Sequence, residues 1–176
     1  MTRPAELPSS PFWRFSLELY ARPGVAAACL TLQDRHGADV NLVLFALWLG
    51  SRGHQLTPEA GNDLARLARH WQRPIVRPLR WVRRRLKQRT MAAGLPSPEA
   101  VGHWRGRLAE IELALEQAEQ LLLEHAMGPV VAGPPGAPMA CGNLRALGLA
   151  SLVATDEARL LLDRLFAAPA ASGLPR

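Results

Sequence analysis

The sequence predicts an all-α fold, a single-domain bundle of six or seven helices around a central hydrophobic hairpin. Three observations predict it. Apolar residues recur at intervals of three and four, without sustained alternation. Ser-Pro and Thr-Pro pairs stand where helices would start. Finally, 48% of the 176 residues are apolar, which supports one domain with a real core but not two.

Residues 1–10 are expected to be a disordered N-terminus. Ser10-Pro11 then opens a first helix to about Ala21, with Phe12, Phe15 and Leu19 on one side and Trp13, Leu17 and Tyr20 on another. After Pro23-Gly24, a second helix runs from Val25 to about Arg35. It stops at His36-Gly37, because glycine accepts the left-handed C′ conformation at no steric cost. Asp39 caps a third helix, Val40 to about Gly50, which is apolar on every side and so belongs at the centre of the fold.

Thr57-Pro58-Glu59 opens a fourth helix to about Gln72. Pro74 and Pro78 each lack an amide donor and crowd the preceding turn, so a break is expected over residues 73–77. A fifth helix follows, Pro78 to about Ala92, with Leu79, Val82 and Leu86 as its core stripe. Ser97-Pro98-Glu99 opens the longest element, to about Met127, on which Trp104, Leu108, Ile111, Leu115, Ala118 and Leu122 recur in near-heptad order. Such a stripe is read as core rather than as a dimer seam. Residues 11–127 thus form a helical core domain. A Pro/Gly-rich loop over 128–142 follows, then a C-terminal helical region over 143–168, capped by Asn143 and broken near Thr155. A disordered tail over 169–176 ends the chain.

Charge is unevenly distributed. The formal net charge is +6, yet between Asp63 and Glu99 the chain carries Arg66, Arg69, Arg73, Arg77, Arg80, Arg83, Arg84, Arg85, Lys87 and Arg89 without one carboxylate. On the fifth helix Arg77, Arg80, Arg84 and Lys87 share a face by their spacing of three and four, and Arg83 and Arg85 widen it. Trp81 sits among them. An aromatic ring between guanidinium groups suits an unpaired base that stacks while the cations hold phosphates, as in single-strand and RNA binders. The competing reading is internal: the sixth helix carries Glu110, Glu112 and Glu116, and packing it antiparallel beside the fifth would neutralise part of the patch.

A second polar cluster, Asp34, His36, Asp39 and Asn41, lies between two apolar helices. Asp34 and His36 suggest an acid/base pair, but at a spacing of two they point apart on a helix, and no nucleophile accompanies them. The plainer reading is that these groups cap and fasten a tight helical hairpin. Cys29 and Cys141 form no Cys-x-x-Cys pair, and His54, His70, His103 and His125 are scattered without ligand spacing. No metal, disulfide framework or cofactor is expected.

The block Phe12-Trp13-Arg14-Phe15-Ser16-Leu17-Glu18-Leu19-Tyr20, with Leu32-Gln33-Asp34, Gly37 and Asp39-Val40-Asn41-Leu42 after it, resembles a proteobacterial family classed as a domain of unknown function. That resemblance implies a small bacterial cytosolic protein and supplies no catalytic residue. Residues 1–11 lack an apolar signal region. The apolar run 42–49 is far short of the roughly 20 residues that span a bilayer, so a cytoplasmic location without membrane insertion is expected. The functional expectation is non-catalytic binding of an anionic macromolecule, RNA or a ribonucleoprotein, through Arg77, Arg80, Trp81, Arg84, Arg85 and Lys87. The alternatives are an adaptor for an acidic protein partner, using the same helix or the sixth, and an enzyme built on the polar cluster at 33–41.

Overall fold

A computed structural model describes residues 7–88 and 97–166. Ser10 accepts a hydrogen bond from the Trp13 amide, and Pro11 stands in the first turn, so α1 (Pro11–Tyr20) begins where the sequence predicts. Its Phe12 meets Phe45 edge-on at 5.2 Å and stacks on Trp48 at 5.3 Å. Then α2 (Val25–His36) ends at Gly37, whose φ of 63° is the left-handed stop that glycine permits. Asp39 accepts from the Asn41 amide at 3.0 Å to start α3 (Val40–Ser51). Every residue from Val40 to Gly50 is buried, which puts this helix at the centre, as its all-round hydrophobicity requires.

The chain leaves α3 through Gly53 into β1 (His54–Leu56), and Thr57 caps α4 (Pro58–Trp71). The break expected at residues 73–77 does not occur. Instead the helix widens into a π-turn, Gln72–Val76, in which the Arg77 amide donates five residues back to the Gln72 carbonyl, and it runs on as α5 (Arg77–Gln88). The wider turn gives the proline rings room that a regular turn denies them. The expected core stripe of α5 is also corrected: Val82 is exposed, Leu79 and Leu86 are half-buried, and Val76 is the fully buried residue.

Ser97 caps α6 (Pro98–His125), which lies antiparallel to α5. Its near-heptad stripe is not the buried face, since Trp104, Ile111 and Leu122 are exposed while Glu112, Glu119, Gln120 and Leu123 are buried. The Pro/Gly-rich stretch is more ordered than a loop. It contains β2 (Val130–Ala132), antiparallel to β1 with Gln55 opposite Val131, and then α7 (Ala137–Ala146). Pro138 is there a helix-starting proline, and Asn143 is no cap but a fully buried residue in mid-helix. A short 3-10 turn, Ala150–Leu152, leads to α8 (Asp156–Phe166), which is capped by Thr155, the residue at the expected break, and packs on α2.

With α4, the π-turn and α5 counted as one rod, the described residues form seven helices and one small ribbon, an all-α bundle. Ala140, Leu144, Leu147, Leu152 and Leu161 join the same core as α3. Among the described residues no helix is long and apolar enough to cross a membrane.

Candidate anion-binding site

The arginine segment takes its shape from the π-turn. In a regular α-helix residues four apart drift by about 40° around the axis. The wider turn slows that rotation, so Arg69, Arg73 and Arg77 stay on one side. Together with Arg80 they line a cleft of about 400 Å³, faced by Gln33, His36 and Asp39 of the α2–α3 hairpin and closed by Leu147–Leu152. Arg69, Arg73 and Arg77 are exposed, and none of them is ion-paired among the described residues.

The rest of the basic face is partly engaged by the protein itself. Arg80, only 15% exposed, pairs with Glu116, and Arg83 Nε donates to Glu112 at 2.8 Å. The Glu112 carboxylate holds the Arg83 guanidinium more firmly protonated than usual. Arg84 pairs with Asp34, both about half exposed. Trp81 is 60% exposed, and the Arg85 guanidinium lies 5.2 Å from its ring centre in a cation–π contact. The side chain of Lys87 lies outside the described residues. The predicted group therefore divides: Arg77 faces the cleft, Trp81 and Arg85 face solvent, and Arg80 and Arg84 meet carboxylates.

The polar cluster at 33–41 divides too. Asp34 turns to Arg84, whereas His36 Nε2 stands 3.9 Å from Glu157 of α8, so the two do not meet each other. Asp39 and Asn41 point inward, into a buried polar centre. Asn41 Nδ2 and Gln72 Nε2 both donate to Glu119 Oε2 at 2.6 Å. Gln120 Nε2 donates to Asn41 Oδ1 at 2.9 Å, and Ser16 Oγ donates to Gln120 Oε1 at 2.9 Å.

Glu119 is 1% exposed, and its Oε1 has no donor. Burial, and then the neighbouring Asp39 charge, push its pKa up to about 9. Burial raises Asp39 as well. At neutral pH the pair therefore holds a proton, and on Oε1 that proton makes a donor toward Asp39 from an oxygen that otherwise has no partner. Glu119 lines neither cavity beside this centre, whereas its partner Asp39 also borders the arginine cleft. Sequence reasoning missed Ser16, Gln72, Glu119 and Gln120. The available signal was Glu112 and Glu119, seven apart and hence on one helix face, which marks that face as polar but not as buried.

Among the described residues no group of His, Cys, Asp and Glu could hold a metal ion. A family described as "Protein of unknown function (DUF2390)" matches residues 11–123. The chain belongs to that family. No curated protein and no solved structure matches it. The DUF2390 segment contains α1 to α5 and most of α6, hence the arginine column and the buried polar centre. Leu147–Leu152, which closes the cleft, lies beyond it.

Proposed function

We propose that this chain is a non-catalytic binding protein for an anionic macromolecule, RNA or a ribonucleoprotein surface before duplex DNA. Arg69, Arg73 and Arg77 contact phosphates, and Trp81 with Arg85 offers a stacking platform beside them. The observation that supports this reading is the column of three exposed guanidinium groups in one cleft, unpaired among the described residues. Such groups keep their attraction for an outside anion, whereas Arg80 and Arg83 spend theirs on the glutamates of α6.

Filter binding of mixed-sequence single-stranded RNA at two salt concentrations tests it. Three phosphate contacts on a single strand predict affinity about twentyfold weaker after a fourfold rise in salt. The double variant Arg73→Ala/Arg77→Ala binds more weakly and with a shallower salt dependence. Trp81→Ala costs about 1–3 kcal/mol through lost stacking. Affinity indifferent to salt and to the double substitution would remove the proposal. A second reading, a protein adaptor, is favoured by Trp104 and Ile111, each 46% exposed on α6. Partners that survive nuclease treatment and are lost from Trp104→Ala would support it.

A further inference from the structure

A second cavity, of about 270 Å³, opens on the other side of Arg80, between α1, the α2–α3 hairpin and α5–α6. Its walls are Trp13, Leu17, Tyr20, Leu30 and Leu113, of which Leu17, Leu30 and Leu113 are more than half exposed. Large apolar side chains that converge on a concavity and stay in water mark a binding site more than scattered surface residues do. Its floor is polar: Ser16, Asn41 and Gln120, all buried.

The hydrogen-bond inventory of that floor leaves capacity over. A carboxamide carries two N–H donors. Asn41 spends one on Glu119 and Gln120 spends one on Asn41, so each nitrogen retains a donor. The charges at the rim, by contrast, are satisfied within the protein, since Arg80 meets Glu116 and Arg83 meets Glu112. An ionic ligand would have to displace one of these carboxylates. An uncharged one would not. Every lining residue also lies within 11–123, the segment that matches the family, whereas the arginine cleft borrows a wall from outside it.

We propose that this cavity binds a small, uncharged, largely apolar molecule whose single carbonyl or hydroxyl oxygen accepts from the spare amide donors of Asn41 and Gln120. The rings or chain of the ligand lie against Trp13 and Tyr20. The volume, just below the roughly 300–1,000 Å³ of drug-sized sites, limits it to about two rings. The site shares the dividing residues Arg80 and Gln33 with the arginine cleft but none of Arg69, Arg73 and Arg77.

The probe is 1-naphthol, with 1-naphthoate as its charged counterpart, titrated into the full chain at pH 7. Fluorescence gives the affinity, and amide NMR of the labelled protein gives the location. The expected result is saturable naphthol binding that shifts the side-chain amide signals of Asn41 and Gln120. It weakens about tenfold or more in Leu113→Arg, and likewise in Leu17→Arg should the first variant lose its helical circular dichroism. It is unchanged in Arg73→Ala/Arg77→Ala. The proposal is overturned by absence of saturation, by naphthoate binding as tightly as naphthol, by shifts confined to other surfaces, or by unaltered affinity in folded rim variants. RNA binding plays no part in any of these readouts, so the two proposals stand or fall separately.

Discussion

Glu119 shows how far surroundings can change the chemistry of one residue. Its pKa rises from an ordinary 4.5 to about 9, first through burial and then through Asp39. An acid whose pKa is raised by folding takes up an extra proton in the folded state between those two values. Its contribution to stability is therefore complete below about pH 4.5 and is lost as pH climbs toward 9. Asp39, raised in the same direction, adds to this slope. Glu119→Gln keeps the shape and a donor toward Asp39 while removing the titration. Urea unfolding at several pH values between 5 and 9 should therefore show wild-type stability falling with pH and the variant's profile flatter. Parallel profiles would mean that Glu119 is not the proton carrier. Nothing at the residue level in the sequence announces this state, because a glutamate among other glutamates on a long helix reads as solvated until packing removes the water.

At the scale of elements, the pairing of α5 with α6 decides which arginines remain available. Arg83 is about a third exposed but its partner Glu112 is 5% exposed, so removing the guanidinium strands a buried carboxylate. Arg83→Ala is expected to lower stability by about 1–3 kcal/mol, the cost of an unsatisfied buried group, toward the low end because water reaches Arg83. Adding Glu112→Leu should recover much of that loss, since an apolar pair replaces an ionic one at little cost. Chemical unfolding of the single and double variants checks both, and additive losses would contradict the pairing. The caps at Ser10, Asp39, Thr57 and Ser97 were legible in the sequence because each is a local bond between a side chain and an amide two or three residues on. The fate of Pro74 was not, because propensity says that a regular turn fails there and not which irregular turn replaces it.

At the scale of the whole molecule, α7 is the element that the sequence reading placed least well and that the fold uses heavily. It lies so close to α3 that a Cβ added at Gly50 would come within 2.6 Å of the Ala140 nitrogen. One added at Gly61 of α4 would meet the Ala146 carbonyl at 2.4 Å. Asn143 then ties three elements together: its Oδ1 accepts from the Leu56 amide at 2.8 Å, and its Nδ2 donates to the carbonyls of His54 and Ala46. Gly50→Ala should cost about 1–3 kcal/mol, since backbone must move to admit one methyl group. A lowered melting temperature checks it, and an unchanged one would show that α7 can shift freely. No glycine pattern reveals such contacts beforehand, because the partner segment lies about 90 residues away.

The sequence by itself determined the helical class, the central place of α3, the helix starts capped by Ser10, Asp39, Thr57 and Ser97, and the acid-free basic segment. These depend on periodicity, local capping and composition, which a single chain carries openly. Tertiary structure alone decided which face of α6 is buried, which arginines meet glutamates and which line a cleft, and that Asn41, Gln72 and Glu119 share one buried polar centre beside Asp39. The physical reason is that charge and hydrogen bonding acquire their energies from burial and from partners brought together across α3, α4 and α6, and neither is fixed until the helices have packed.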